Sequence, residues 1–198
     1  MSPPATPQWL WRAQETPLGT LWLAASEAGL AGAWFAGQRH EPVIEEHQRR
    51  ATPTWAQGPA GSAAHAALER ASAQLQRYFV DPSVSFDLPL DPSRGTGFQQ
   101  AVWQALRGIP AGATLSYAAL AEQVGRPRAV RAVGAAVGRN PWSVIVPCHR
   151  VLGSDGTLTG YAGGLDRKQT LLQWERAGSP AARRRAGGTA TRTQAVAA

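Results

Sequence analysis

The sequence predicts a mixed α/β chain, more narrowly α+β, with short strands in its first half and helices in its second. Three observations support this prediction. Residues 16–35 alternate loosely between apolar and polar side chains and are interrupted by Gly19 and Gly29, as in short strands joined by turns. Residues 63–79 carry apolar side chains at helical spacing. The same spacing recurs in several segments after residue 96.

The first half contains one predicted helix between irregular segments. Ser62 is a suitable N-cap for a helix over residues 63–79, and an Asp-Pro pair follows directly. Residues 84–88 place apolar side chains on alternate positions and predict an extended segment. Residues 41–61 are polar and rich in Pro and Gly, which indicates a loop with at most a short helix.

The second half begins with three predicted helices. Thr96 and Gln99 have the spacing of a capping box at the start of the first helix. Ser116 is positioned to cap the second, and residues 129–140 form a third that is rich in small residues. The last two are joined by a linker of about four residues that includes a glycine, which is typical of a helix-turn-helix.

The end of the chain completes the predicted organisation. Val144–Val146 is apolar and predicts a short buried strand, and Leu165–Arg176 predicts a final helix. We expect a first domain over residues 1–92 and a second over 93–178, because an Asp-Pro pair ends the strand-rich part. Residues 179–198 lack periodicity and predict a disordered basic tail.

Composition excludes several classes of protein. No apolar run approaches the roughly 18 residues of a membrane span. The first 14 residues lack the basic and apolar regions of a signal peptide, so we expect none. The single cysteine cannot form an internal disulfide. A reducing, cytoplasmic setting is therefore expected, in which a free thiol persists.

The charge pattern is compatible with a polyanionic partner. The net charge is +7, and four of these charges lie on arginines of the tail, so the remainder carries only +3. Residues 126–150 are more informative, because they contain five arginines and no acidic residue. Such a segment suits a nucleic-acid backbone, but a solvated basic face explains the charge equally well.

The lone cysteine, Cys148, lies in the segment NPWSVIVPCHR and has four possible roles. It could be a buried structural thiol. A metal site is disfavoured, since one cysteine and four scattered histidines give no ligand spacing. A cysteine hydrolase would need His149 to reach the sulfur, but neighbours on a strand point to opposite faces, so a bend or a bridging water is required.

The fourth role is direct attack of the thiolate on an electrophilic carbon. A free thiol has a pKa near ~8.5, and a nearby base with positive surroundings would raise its thiolate fraction. His149 could supply the base, and the arginines of residues 126–150 could supply positive potential. A carboxylate on the last helix, such as Glu175, could orient the imidazole.

The segment NPWSVIVPCHRVLGSDGTLTGYAGGLDRKQTLLQWERAG resembles the active-site half of the O6-alkylguanine-DNA alkyltransferases, the methylated-DNA–protein-cysteine methyltransferases. SYAALAEQVGRPRAVRAVGAAVGRNP resembles the helix-turn-helix of the same family, and TPLGTLWLAASEAGL resembles its N-terminal domain more weakly. The resemblance implies a ribonuclease-H-like sheet domain followed by a mainly helical, winged-helix-like DNA-binding domain. It also implies irreversible, single-turnover transfer of an alkyl group from guanine O6 to the protein.

The resemblance implies catalytic roles for five residues. Cys148 matches the alkyl acceptor, His149 the base that takes the thiol proton through a water, and Glu175 the carboxylate bonded to that histidine. Asn140 matches a hinge residue, although it would also serve as a plain helix stop. Tyr117 matches the tyrosine that protonates the leaving guanine. Considered alone, Glu175 would be a solvated helix charge and Tyr117 a buried tyrosine.

The resemblance also implies a DNA surface. Arg131 matches the arginine that fills the stack after the damaged base is flipped out, although alone it would be an ordinary phosphate contact. Flipping is needed because guanine O6 is unreachable in line within the stack. Small side chains on the third helix would allow close approach to the minor groove. The other positions assigned to this surface are Arg128, Ala132, Gly134, Ala135 and Arg139.

The remaining expectations concern the substrate pocket and partners. The pocket positions are Pro147, Val151, Tyr161, Ala162, Gly163 and Gly164. Ala162 stands where relatives often carry a serine, so a hydroxyl contact from that side chain is absent, and backbone N–H groups could serve instead. We expect a monomer acting on double-stranded DNA that contains O6-alkylguanine, with O4-methylthymine as a candidate second lesion. We expect no metal, cofactor or membrane. A non-catalytic binder of alkylated DNA and a cysteine hydrolase are the alternative functions.

Overall fold

The computed structural model describes residues 9–43 and 62–178. Its strands are β1 (Leu10–Gln14), β2 (Leu21–Ser26), β3 (Gly29–Phe35), β4 (Leu115–Ser116) and β5 (Val151–Leu152). Its helices are α1 (Ala63–Val80), α2 (Gly97–Arg107), α3 (Tyr117–Gln123), α4 (Val130–Gly138) and α5 (Leu165–Ala177), with a 3₁₀ helix at Cys148–Arg150. Within these ranges, no helix has both the length and the apolar character needed to cross a bilayer.

The first half forms a three-stranded antiparallel sheet in the order β1-β2-β3. Gly19 has a φ of 100° in the segment before β2, and Gly29 has a φ of 134° at the first residue of β3; both values suit glycine. Nearly every residue of β2 and all of β3 are buried, so both faces of the sheet are covered. The loose alternation of the sequence follows from this burial, since no face is left to water.

The two faces of the sheet pack differently. Helix α1 covers one face with its buried stripe of Ala64, Leu68, Ala71 and Leu75. The other face carries a separate tryptophan cluster, Trp9, Trp11, Trp22 and Trp34. Strand β1, which the sequence does not predict, supplies Trp11, and Trp9 lies directly before it. The sequence QWLW at residues 8–11 is too short and too aromatic to show the alternation of a strand on its own.

Helices α2, α3 and α4 pack together in the second half. Thr96 caps α2 with the predicted capping box: its side chain accepts from Gln99 N, and Gln99 Oε1 accepts from Thr96 N. Ser116 accepts from Ala119 N at the start of α3. The α3–α4 pair is the predicted helix-turn-helix, and the short parallel pair β4–β5 lies beside it.

The edge strand β3 joins the two halves of the molecule. Ala33 N donates to Pro141 O, and Ser143 N donates to Ala33 O, both at 2.8 Å. Trp142 Nε1 donates to Leu30 O at 2.7 Å. The segment that follows α4 is therefore fixed to the N-terminal sheet.

The predicted strand at Val144–Val146 is wrong. Residues 143–145 form a turn, and Val144 has a φ of 71°, which is rare for a β-branched residue. Val146 N donates back to Trp142 O at 2.9 Å, which closes the turn. The run is apolar because it is buried between the two halves, and burial alone does not distinguish a strand from a turn.

The other predictions divide into confirmed and untested ones. The α+β class, the helix after Ser62 and the final helix are confirmed, with ends shifted by a residue. The domain boundary at residue 92 stays a prediction. The basic tail at 179–198 and most of the loop at 41–61 lie outside the described residues.

Candidate active site

Cys148 opens the 3₁₀ helix that follows the buried turn. Pro147 precedes it with φ −81° and ψ 60°, so the chain bends here and the argument from strand geometry does not apply. The thiol is only 4% exposed. Asn140 Nδ2 donates to Cys148 Sγ at 3.1 Å. The sulfur is therefore a buried group held by one amide, not a surface thiol.

His149 lies in a fully buried network with Glu175. His149 Nε2 and Glu175 Oε1 are 2.8 Å apart, and both side chains are 0% exposed. Arg150 Nε donates to Glu175 Oε2 at 2.9 Å, and Arg150 Nη2 donates to Glu175 Oε1 at 2.7 Å. The contact expected between His149 and Glu175 is present, and Arg150 joins it.

The network fixes the charge states of the pair. Burial alone would raise the pKa of the Glu175 carboxyl, but hydrogen bonds from His149 and Arg150 and the Arg150 charge hold that pKa well below its usual range. Glu175 is therefore an ionised acceptor, and His149 Nε2 must carry the proton that it donates. Burial lowers the pKa of His149 despite the opposing effect of Glu175, so the ring is neutral near pH 7.

A neutral ring protonated at Nε2 leaves Nδ1 as a free acceptor. Among the described residues, Nδ1 of His149 is buried and has no hydrogen-bond partner. Burial raises the pKa of the Cys148 thiol, although the Asn140 hydrogen bond and the Lys168 charge partly offset it. The resting site therefore holds a protonated thiol and, on the next residue, a neutral imidazole that can accept a proton.

Lys168 is a buried cation that the sequence analysis missed. It is 0% exposed, and its Nζ donates to Val151 O at 2.6 Å and to Thr159 O at 2.7 Å. Burial lowers the pKa of Lys168 from 10.5 to about 8, although the negative charge of a Cys148 thiolate opposes this decrease. The positive charge felt by the thiol therefore comes from α5, not from the arginine-rich segment. Lys168 also joins β5 to the loop after it.

A sequence signal for this network exists in α5. Its buried residues are Lys168, Leu171, Leu172 and Glu175, which are spaced i, i+3, i+4 and i+7. Charged residues on the apolar stripe of a helix are expected only when they are paired or functional. That signal applies to Lys168 as well as to Glu175.

Asn140 connects the end of α4 to the active-site turn. Its Nδ2 donates to Val146 O at 2.8 Å as well as to the sulfur, and its Oδ1 accepts from Trp142 N at 3.1 Å. The side chain is buried. It therefore does more than stop the helix, and its geometry fits the predicted hinge.

The loop of residues 161–164 lies against the active site. The ring of Tyr161 faces that of His149 edge-on, with 6.4 Å between centroids. A Cβ on Gly163 would lie 2.7 Å from the Tyr161 ring, so only glycine fits there, and Gly164 needs glycine for its φ of 92°. Ala162 O accepts from Arg39 N at 2.9 Å. Val151 is fully buried in β5.

Tyr117 lies between α4 and the loop that contains Gly160. A Cβ on Gly134 would lie 3.8 Å from the Tyr117 ring, and the Tyr117 hydroxyl makes a long 3.5 Å contact with Gly160 O. Burial raises the pKa of Tyr117. The phenol therefore stays protonated near neutral pH and can act as a proton donor.

The residues of the predicted DNA surface are mostly exposed and are largely separate from the buried network. Gly134 is half-buried on α4, against Tyr117. Ala136, which carries an equally small side chain, is buried and accepts from Trp103 Nε1 instead. The exposed members of this surface are Arg128, Arg131, Ala132, Ala135 and Arg139.

Metal binding receives no support from side-chain geometry. No group of three or more potential metal ligands occurs within residues 9–43 and 62–178.

Comparisons with known proteins identify the family of the chain. Residues 97–177 match the family model of the 6-O-methylguanine DNA methyltransferase DNA-binding domain, and residues 10–92 match that of its ribonuclease-like domain. The methylated-DNA–protein-cysteine methyltransferase of Mycolicibacterium paratuberculosis is 45% identical over 171 residues, covering 86% of this chain and 94% of the relative. The Salmonella typhimurium protein of the same name is 43% identical, covering 81% and 91%.

Solved structures give the same result. The O6-methylguanine methyltransferase of Mycobacterium tuberculosis matches with a TM-score of 0.70 and 42% identity, covering 88% of this chain and 96% of that one. The M. tuberculosis OGT solved in complex with DNA matches with a TM-score of 0.70 over 87% of this chain and 96% of that one. Two family models together span most of the chain, and close relatives align over more than four-fifths of it. The chain belongs to the 6-O-methylguanine DNA methyltransferase family.

Proposed function

We propose that this protein repairs DNA by moving the alkyl group of an O6-alkylguanine onto its own Cys148. The observation that carries the proposal is a buried, protonated thiol next in sequence to a neutral, buried imidazole whose Nδ1 is free to accept a proton. A thiol of raised pKa needs such a base to become a nucleophile. Family membership supports the same chemistry.

The transfer begins with the thiol proton. It passes to His149 Nδ1, directly or through a water, and Glu175 stabilises the imidazolium through Nε2. The sulfur lone pair attacks the alkyl carbon, the carbon–O6 bond breaks, and its electron pair stays with the guanine. Tyr117 donates a proton to the developing guanine anion, which makes the base a better leaving group. The imidazolium proton then passes through solvent to the tyrosinate, which restores both groups.

The DNA must first present the damaged base to the buried sulfur. The exposed face of α4 carries Arg131 beside Ala132 and Ala135. Small side chains allow the helix to approach the duplex closely, and a long cationic side chain can enter the stack that the extruded base leaves. We propose that contacts go to phosphates and to the vacated stack, so recognition tolerates many sequences.

The product is a thioether, and none of the groups proposed here returns it to a thiol. Each molecule therefore acts once. A reduced thiol is required before the reaction, which supports a cytoplasmic location for the protein.

Titration against a duplex oligonucleotide containing O6-methylguanine tests the proposal. The repaired lesions should equal the added protein and then stop, and a Cys148→Ala variant should repair none. Continued turnover beyond one lesion per chain would instead support a cysteine hydrolase. Tight lesion binding without repair by the unaltered protein would support a non-catalytic binder.

A further inference from the structure

The catalytic carboxylate has a partner from the opposite half of the chain. The Tyr78 hydroxyl donates to Glu175 Oε1 at 2.7 Å, across 97 residues of sequence. Tyr78 lies on α1, within the region that matches the ribonuclease-like domain model, whereas Glu175 lies on α5. The same oxygen accepts from His149 Nε2 and Arg150 Nη2.

The surroundings hold the Tyr78 ring in one place. Its side chain is 0% exposed and contacts the rings of Phe79 and Phe86, with centroids 5.2 Å and 5.5 Å away. Trp174 Nε1 donates to Tyr78 O at 3.3 Å, so the backbone of this residue is also tied to α5. Burial and the nearby Glu175 carboxylate raise the pKa of Tyr78 far above its ordinary value. The phenol therefore remains a donor at every working pH.

We propose that Tyr78 is a positioning residue for the alkyl transfer, because its hydroxyl fixes the Glu175 oxygen that orients His149. The N-terminal half of the chain thus completes the catalytic network rather than only supporting the fold. This inference rests on the proposed function, since it assigns a role within that reaction.

The arrangement of donors around the carboxylate explains why one hydroxyl matters. Arg150 contacts both oxygens of Glu175 and can draw the carboxylate toward itself. Tyr78 donates only to Oε1, the oxygen bonded to His149, and holds it against that pull. Without the hydroxyl, Oε1 loses one donor, and the carboxylate can shift toward Arg150 and toward Gly112 N, which donates to Oε2 at 3.2 Å, so that the imidazole loses its fixed orientation. Small displacements of a catalytic group have large effects on rate.

Three variants separate hydrogen bonding from packing. Tyr78→Phe removes only the hydroxyl, and Glu175→Gln changes the carboxylate itself. Phe86→Leu serves as the control, because it removes a ring that packs on Tyr78 and leaves the hydroxyl in place. Two rates are measured for each protein: single-turnover methyl transfer from duplex DNA, and alkylation of Cys148 by iodoacetamide as a function of pH. Thermal unfolding reports any loss of fold.

We expect Tyr78→Phe to slow methyl transfer by about tenfold or more, while Phe86→Leu stays within about twofold of the unaltered protein even if it lowers Tm. The pH midpoint of iodoacetamide alkylation should move upward in Tyr78→Phe and in Glu175→Gln but not in Phe86→Leu. The double variant Tyr78→Phe/Glu175→Gln should be no slower than Glu175→Gln, because the hydroxyl acts through the carboxylate.

Two results would overturn the assignment. One is an unchanged transfer rate and pH midpoint in Tyr78→Phe. The other is multiplication of the two single losses in the double variant. If the unaltered protein takes no methyl group from DNA, the proposed function fails, and the iodoacetamide midpoints still decide whether Tyr78 positions the base. The two failures are therefore distinguishable.

Discussion

The Asn140 amide nitrogen lies 3.1 Å from Cys148 Sγ and 2.8 Å from Val146 O, so one side chain joins the end of α4 to Cys148. Its amide oxygen accepts from Trp142 N. Asn140 therefore holds the whole turn that separates α4 from Cys148. Any movement of α4 on DNA would be transmitted to the sulfur through this residue.

Asn140→Ala should lower the free energy of unfolding by about 1–3 kcal/mol, because the buried Trp142 N–H loses its acceptor and Val146 O loses one donor while keeping Cys148 N. Urea unfolding measures this loss. Asn140→Asp is the matched control: it keeps the acceptor for Trp142 N but cannot donate to Val146 O. An aspartate variant as stable as the unaltered protein would show that the donated bonds contribute little.

His149 should make stability depend on pH in a definite direction. Burial lowers its pKa, so below its usual value of 6.5 the folded chain binds fewer protons on this ring than the unfolded chain. The free energy of unfolding should fall as the pH drops from about 7 to about 5, a range in which Glu175 is ionised in both states. His149→Gln should remove this part of the slope. Equal slopes in the two proteins would show that the ring titrates normally.

Lys168 should act in the alkaline range. Its pKa is about 8 in the folded chain and 10.5 ordinarily, so between these values the folded chain holds fewer protons. Its contribution to the free energy of unfolding therefore becomes more favourable as the pH rises through that window. The stability difference between the parent and Lys168→Met, measured by urea unfolding, should grow across it. Both proteins should carry Cys148→Ser, because the thiol titrates nearby. Parallel curves would contradict the assignment.

Arg131→Ala should slow repair in duplex DNA by about tenfold or more, since base extrusion costs a few kcal/mol that an inserted side chain offsets. Reaction with a free O6-benzylguanine-type base should change by less than about twofold, because no extrusion is needed. Arg126→Ala is the control, as it removes an exposed arginine from the turn before α4. Any decrease in the repair rate of Arg126→Ala should disappear at saturating DNA. Equal losses of Arg131→Ala on both substrates would count against a role in flipping.

Local sequence signals explain why several helices and turns were predicted correctly. Ser62 and the Thr96–Gln99 pair cap their helices through contacts within four residues, and Gly19 and Gly29 have the positive φ that suits glycine. The sequence PCHR, residues 147–150, indicated the proposed nucleophile and its proposed base. Such features depend on neighbours in sequence, and a single chain displays them directly.

Tertiary contacts explain what was missed. The apolar run at Val144–Val146 would show the same sequence pattern in a buried strand and in a buried turn. Tyr78 meets Glu175 only because α1 packs near α5, and no local pattern encodes that contact. Lys168 carried a signal in the periodicity of α5, but its partners are backbone carbonyls, which leave no mark in the sequence.

The most direct test of the account is intact-mass analysis, followed by peptide mapping, after the protein is mixed with duplex DNA containing O6-methylguanine. The account predicts one added methyl group per chain, located on Cys148, together with an unmodified guanine in the DNA and no mass change in Cys148→Ala. A lesion that disappears while Cys148 stays unmodified, or a methyl group on another residue, would contradict it.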